Sequence, residues 1–244
     1  MKSPTPFFRS FSIAIAFLFI LLIPAGAQTW NAARDLRINE KPDEPDLHST
    51  ELSTPNARVP EWSYGYRGTL TDTALTLFEM PPDEHSNAAV HGNEDMEGWT
   101  KPGELWPLVT CNVSDAAVRP SPELKLLAPD ELDVHPGTGF TSDAFAVVRW
   151  TAPSTGNYLI SAIWRDIDLN CGDGFGAHIV RNGISIFDKS VPNGESTSFI
   201  RHILTLSAGD LVDFVVEPGP NGNQDCDSTA LKIEVVLIPC ATAE

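Results

Sequence analysis

The second half of the chain alternates apolar and polar residues with a period of two. In one segment Leu231, Ile233 and Val235 fall on one face, and Lys232 and Glu234 fall on the other. Successive side chains of a β-strand point to opposite faces, so this pattern predicts strands that are buried on one side. The same criterion predicts strands over residues 143–153, 156–167, 176–183, 184–191, 198–209, 210–219 and 230–239.

Gly, Pro and Asn residues interrupt these strands at short intervals. Asn182-Gly183 separates two of them and is typical of the type I′ turn of a β-hairpin. Short strands at this spacing predict an all-β fold, an antiparallel β-sandwich of the jelly-roll type. Trp150 and Trp164 lie in strongly patterned strands, so we expect both in its core.

The first half of the chain is less regular and divides into two parts before the sandwich. Residues 1–27 combine basic residues, a short apolar run and the small residues "AGA", which together predict a secretory signal peptide. The run is shorter than the roughly 20 residues of a membrane span, so we expect no membrane anchor. Residues 28–60 predict an irregular arm with a short helix or first strand at "WNAARDL", and residues 61–240 the sandwich domain.

Charge and cysteine content narrow the classes of function. The net charge is −17, and an acidic surface of this kind repels nucleic acids. Four cysteines in an exported chain favour disulfides over a metal site. We therefore expect a secreted protein, extracellular or periplasmic, with no nucleic-acid partner.

Two loops rich in Gly, Asn and Asp each hold one cysteine. They are "DLNCGDG" and "GPNGNQDCDST", and each leads into a strand. We expect them to be neighbours at one end of the sandwich, with Cys171 bonded to Cys226. The remaining pair, Cys111 and Cys240, would then form the second disulfide, which fastens the C-terminus.

The acidic residues of these loops have two further interpretations. The spacing in "DLNCGDG" is one residue off the EF-hand, so a calcium ion would need ligands from both loops. Its predicted ligands are Asp168, Asp173, Asp225 and Asp227. Alternatively, Asp166 or Asp168 could face Asp225 or Asp227 across a cleft as the carboxylate pair of a glycoside hydrolase.

Aromatic residues supply the candidate ligand-binding surface, because exposed rings can stack on sugars. The candidates are Trp62, Tyr64, Tyr66 and Trp99, with packing beneath a loop as the alternative for each. The sequence contains no nucleophile elbow, phosphate loop or zinc-binding His-Glu-x-x-His motif. His178 and His202 fall within strands, where we expect a structural or surface role.

Several segments together resemble one family of exported bacterial domains. They are "PEWSYGY" (60–66), "LDVHPG" (132–137), "AVVRWTAPSTGNYLI" (146–160), "HIVRNGISIF" (178–187) and residues 206–235. This order is similar to that of the jelly-roll domains of PEP-CTERM-type secreted proteins, over most of residues 30–238. The resemblance implies a fold like that of carbohydrate-binding modules. The chain ends in "LIPCATAE" instead of the sorting tail, so we do not expect anchoring through that tail.

The sequence thus predicts a secreted, non-catalytic β-sandwich that binds polysaccharide or an extracellular matrix component. A structural or adhesive surface protein without a small ligand is one alternative. A glycoside hydrolase that uses the loop carboxylates is the other.

Overall fold

The computed structural model describes residues 27–37, 59–78, 93, 95–101, 104–138 and 144–239. Within these ranges the chain forms one short helix, α1 (Ala32–Arg37), and thirteen strands. In chain order the strands are β1 (Thr29–Asn31), β2 (Trp62–Arg67), β3 (Thr76–Leu77), β4 (Met96–Thr100), β5 (Leu108–Asn112), β6 (Leu132–His135), β7 (Phe145–Thr151), β8 (Gly156–Asp166), β9 (Phe175–Arg181), β10 (Ile184–Val191), β11 (Ser196–Leu206), β12 (Leu211–Glu217) and β13 (Thr229–Ile238). No helix of the described ranges is long and apolar enough to cross a membrane. The predicted signal peptide lies outside these ranges apart from its last residue.

The strands form two antiparallel sheets. The first has the order β11-β8-β13-β6-β5-β4, and β1 pairs with β13 beside β6. The second has the order β10-β9-β12-β7-β2-β3. Consecutive strands cross repeatedly from one sheet to the other, because β7, β9 and β12 belong to the second sheet and β8, β11 and β13 to the first. The predicted antiparallel β-sandwich of jelly-roll type is confirmed.

The period-two pattern determines which residues fill the space between the sheets. Leu231, Ile233 and Val235 of β13 are buried there, and Trp150 and Trp164 are fully buried, as predicted. At the predicted hairpin between β9 and β10, Asn182 has φ 49° and Gly183 has φ 80°. Both lie in the left-handed region that a type I′ turn requires.

Part of the outer face of the second sheet is covered. The covering segment runs from residue 68 to residue 75 and packs its leucines on Val147, Val180 and Val215. Beside them, buried Asp213 accepts hydrogen bonds from Arg67 Nη1 at 2.5 Å and Arg149 Nε at 2.7 Å. Two arginines compensate one buried carboxylate, and Arg67 also bonds the covering segment. The part of this face near Phe145, Gly176 and Glu217 remains open.

The N-terminal segment belongs to the sandwich, although the sequence predicts an irregular arm from residue 28. β1 adds to β13, and Ala32, Ala33 and Leu36 of α1 are completely buried in the core. Trp62 Nε1 donates a hydrogen bond of 2.9 Å to Asp35 Oδ2, which joins this segment to β2. Among the described residues, β1 and α1 are therefore part of the sandwich together with the strands after residue 61.

Replacement of Trp62 by Ala should destabilise the fold strongly. It leaves a large cavity and removes the indole partner of Asp35, so we expect a loss of about 3–5 kcal/mol in the free energy of unfolding. The matched control is Trp106→Ala, because Trp106 is 38% exposed and its loss should cost about 1 kcal/mol or less. Urea denaturation measures both. Equal losses for the two variants would contradict the packing described here.

Candidate functional site: a groove beside two linked acidic loops

The predicted aromatic platform is wrong for three of its four residues. Trp62, Tyr64 and Trp99 are at most 2% exposed, and the rings of Tyr64 and Trp99 stack with centroids 5.5 Å apart in the core. Residues two apart on a strand share a face, and on β2 that face points inward. Tyr66, the next on this face, is half-buried and packs against Phe78 with ring centroids 5.5 Å apart. Trp62, Tyr64 and Trp99 therefore present no ring face to a ligand, and Tyr66 is only partly accessible.

The two acidic loops meet, as predicted. The first acidic loop (residues 167–174) follows β8, and the second acidic loop (residues 218–228) follows β12. A disulfide joins Cys171 to Cys226, with Cα atoms 5.6 Å apart. Backbone contacts join the same loops, because Ile167 N–H donates to the Ser228 carbonyl at 3.0 Å and Ser228 N–H donates to Asp168 Oδ2 at 2.8 Å.

The second predicted disulfide is not tested by the structure. Cys111 is completely buried on β5, and Cys240 lies outside the described residues. The bond between them stays a prediction.

The four predicted calcium ligands lie in the two loops but do not form one cage of side chains. Asp168 and Asp227 are buried, Asp173 is half-buried, and Asp225 is exposed and accepts a hydrogen bond from Asn223 Nδ2. Within the described ranges, one group of three ligand side chains has its donor atoms within 4.8 Å of one another, namely Asp168, Cys171 and Cys226. Its two sulfurs belong to the disulfide, so this group lacks the thiolates that a metal site would use.

Burial and mutual repulsion raise the pKa of two of these carboxyls. Loss of water is the largest cause that raises the pKa of Asp168 to about 7, and the charges of Asp133 and Asp166 raise it further. The hydrogen bond from the Ser228 N–H lowers this pKa but does not outweigh them. Loss of water also raises the pKa of Asp227 to about 7; the Gly219 N–H opposes this effect and the charge of Asp173 adds to it. The loops therefore hold several carboxylates closer together than their charges favour.

The carboxylate pair of the hydrolase alternative does not face an open cleft. Asp166, Asp168 and Asp227 are each at most 5% exposed. Each accepts a backbone N–H, from Gly194, Ser228 and Gly219 respectively. These three side chains hold loops in place and have little contact with solvent.

The open part of the second sheet forms a groove of about 630 Å³. Its floor is the outer face of β9 at Gly176 and His178, and one wall is residues 188–190 of β10. The opposite wall comprises Glu217 and the start of the second acidic loop, and Phe145 of β7 closes one side. The groove is thus adjacent to the disulfide-linked loops.

His178 is clamped between two carboxylates on the groove floor. Its Nδ1 lies 2.7 Å from Asp188 Oδ1, and its Nε2 lies 2.8 Å from Glu217 Oε2. Three neighbouring strands supply these residues, β10, β9 and β12. Gly176 makes room for the second bond, since a Cβ there would stand 2.7 Å from both bonded atoms.

The two carboxylates keep His178 protonated to higher pH. Burial alone would lower the pKa of His178, but the hydrogen bonds and charges of Glu217 and Asp188 outweigh burial and raise it. In return, His178 lowers the pKa of Asp188. An imidazolium with both N–H groups bonded has a fixed ring orientation.

The sequence places His178 on a strand but does not predict its partners. A regular two-residue hairpin would pair residue 178 with Phe187. A β-bulge between Ser185 and Phe187 shifts the register, so that Asp188 pairs with His178 instead. Glu217 reaches the site because β12 pairs with β9, a contact between distant parts of the chain.

No family model and no curated protein matches the chain. Solved structures give partial likenesses of 10–16% identity. The family 51 carbohydrate-binding module of a Clostridium perfringens glycoside hydrolase, in complex with methyl-galactose, covers 60% of this chain and 97% of its own, with 10% identity and a TM-score of 0.37. A family 35 carbohydrate-binding module from Clostridium thermocellum matches over 43% of this chain and 75% of its own length, with 13% identity and a TM-score of 0.28. A cyclase from Fischerella sp. TAU matches over 74% of this chain and 100% of its own length, with 10% identity and a TM-score of 0.35. At these TM-scores the likenesses carry no argument about function.

Removal of the disulfide should cost much of the stability of the fold. The bond closes a loop of 55 residues, for which the chain-entropy model gives about 4 kcal/mol. We expect the double variant Cys171→Ser/Cys226→Ser to lose that amount in urea denaturation. A loss of less than about 1 kcal/mol would mean that the backbone contacts alone hold the two loops together.

The contribution of His178 to stability should disappear at high pH. When folding raises the pKa of a group, the group stabilises the fold fully at any pH below its pKa in the unfolded state, which is about 6.5 for His. This stabilisation is lost as the pH rises through the pKa in the folded state. Thermal unfolding of the parent and of His178→Gln should therefore differ most near pH 6 and least near about pH 9. Titration of Asp168 and Asp227 acts in both proteins and cancels in the difference. His202→Gln, at an exposed position on β11, is the control. A difference that is constant over this range would refute the role of His178.

Proposed function

We propose that this protein is a secreted, non-catalytic β-sandwich module that binds a carbohydrate in the groove. The observation that supports this most is the fixed polar centre of the groove, in which His178 orients Asp188 and Glu217. Grooves of this volume are typical of small-ligand sites, which combine apolar walls with a few positioned polar groups. An extracellular polysaccharide is the proposed partner.

The two carboxylates can accept hydrogen bonds from the hydroxyl groups of a sugar. Each uses one oxygen to bind His178, while the side chains of Asp188 and Glu217 remain 58% and 39% exposed. Hydrogen bonds to charged acceptors are stronger than those between neutral groups. Because His178 holds both carboxylates in place, little side-chain freedom is lost on binding.

The apolar walls suit the C–H faces of a sugar ring. Phe145, Pro218 and Pro220 line the groove beside the carboxylates. Phe145 is half-buried, so its ring can contact a sugar in the groove. Trp62 and Trp99, which the sequence predicted for this role, are buried in the core. Contact of a sugar with such surfaces releases water from apolar area.

The local charge favours a neutral saccharide. Protonated His178 offsets part of the charge of Asp188 and Glu217 within the groove, and the whole chain has a net charge of −17. A polyanion such as a nucleic acid or a sulfated glycan would be repelled by the surrounding surface. A neutral polysaccharide has no such barrier.

The carboxylates of the groove provide the test. The secreted protein should bind at least one neutral polysaccharide on a glycan array, with the affinity then measured by calorimetry. Asp188→Asn and Glu217→Gln should each weaken binding by about 10- to 100-fold, the value of a hydrogen bond to a charged group.

Glu234→Gln is the matched control, because Glu234 is an exposed carboxylate on the other sheet. It should bind like the parent, and thermal unfolding should show that all three variants are folded. Unchanged affinity in both groove variants, or no binding to any polysaccharide, would overturn the proposal.

A further inference from the structure

Two carboxylates of the acidic loops hold the wall of the groove in the same way. Asp227 Oδ2 accepts the backbone N–H of Gly219 at 3.0 Å, and Asp173 Oδ2 accepts that of Asn221 at 2.8 Å. In both residues the other oxygen, Oδ1, is buried and has no hydrogen-bond partner. Asp227 as a whole is only 2% exposed.

Asp173 Oδ1 lies beside the Cα atom of Gly219. The position that a Cβ of Gly219 would take lies 2.3 Å from Asp173 Oδ1 and 2.3 Å from the carbonyl oxygen of Gly174. These two oxygens, from the first acidic loop, therefore lie close together against the second. The carboxylate of Asp227 contacts the same residue, because its Oδ2 accepts the Gly219 N–H at 3.0 Å.

Buried carboxylate oxygens without donors are costly. An ionised group that loses its water without a compensating partner is strongly disfavoured in a protein interior. A hydrogen-bond donor or a cation would remove this penalty, and the described side chains offer no donor to either Oδ1. Two carboxylate oxygens beside a backbone carbonyl are the ligands that a hard divalent cation takes.

We propose that Asp173 Oδ1, Asp227 Oδ1 and the carbonyl oxygen of Gly174 bind one calcium ion, which ties the first acidic loop to the wall of the groove. Calcium accepts irregular sets of six to eight oxygens, so water can complete its coordination. This set differs from the one predicted by the sequence, because Asp168 bonds Ser228 and Asp225 is exposed. The proposal that the ion binds does not depend on the proposed function. Only the effect of the ion on sugar binding in the groove rests on the proposed function.

Calcium binding is tested on the secreted protein after treatment with a chelator. Titration with calcium chloride in a calorimeter should give one ion per chain, and millimolar calcium should raise the unfolding temperature, because the ion binds the folded state. Magnesium chloride at the same concentration should bind more weakly, since magnesium demands a strict octahedral arrangement. No heat and no thermal shift with calcium, or equal binding of magnesium, would overturn the inference.

Three variants identify the ligands. Asp173→Asn and Asp227→Asn should each lower calcium affinity by about tenfold or more, equivalent to about 1.4 kcal/mol. Asp225→Asn removes a charge from the same loop but no proposed ligand, so it should bind calcium like the parent. If Asp227→Asn does not fold, Asp173→Asn decides the question, because Asp173 is only half-buried. Equal losses for Asp173→Asn and Asp225→Asn would show a diffuse charge effect and refute the site.

Sugar affinity in calcium and in chelator separates the two proposals. Weaker sugar binding in chelator, reproduced by Asp173→Asn in calcium, would support an ion that organises the groove wall. Calcium binding with no affinity for any polysaccharide would overturn the proposed function and leave the ion site intact. Sugar binding with no calcium binding would overturn the ion site alone.

Discussion

The covalent link between Cys171 and Cys226 is the constraint on which the end of the molecule beside the groove depends. It holds together two loops that bury carboxylates, and loss of water, with the charges of neighbouring carboxylates, raises the pKa of Asp168 and Asp227. Without a covalent bond, like charges of this density would favour separation of the loops. The second of these loops is also a wall of the groove, so the same bond positions the candidate ligand-binding surface.

The position of the groove follows from how the second sheet is covered. Over Val147, Val215 and Val180, on β7, β12 and β9, the segment at residues 68–75 covers an apolar cluster beside the ion pairs of Asp213. At the end of the sheet formed by Phe145, Gly176 and Glu217 that cover stops, and polar residues such as His178 replace the valines on the strand surface. The first sheet has a cover of its own, in which Leu124 and Leu127 pack against Met96. In the groove, polar groups are fixed by hydrogen bonds and accessible to solvent.

The sequence predicts the elements with regular alternation and misses those that depend on distant contacts. The strands from β7 to β13, the hairpin at Asn182-Gly183 and the pairing of Cys171 with Cys226 follow from period, turn chemistry and cysteine spacing. The burial of Trp99 does not follow, because it lies on a five-residue strand in a polar context. Its inward position is set by pairing with Val109 of β5. The His178 site depends on an irregular register and on strand order, neither of which local sequence encodes.

Gly176 shows how narrow the tolerance of such a site is to mutation. Its backbone conformation is one that most residues can adopt, so a survey of conformational preferences would not single it out. The hydrogen bond between His178 and Glu217 passes directly over its Cα atom, and even one methyl group would collide with both partners. In a library of all single substitutions, position 176 should therefore tolerate as few residues as a core position, although it lies on an outer face of the sandwich.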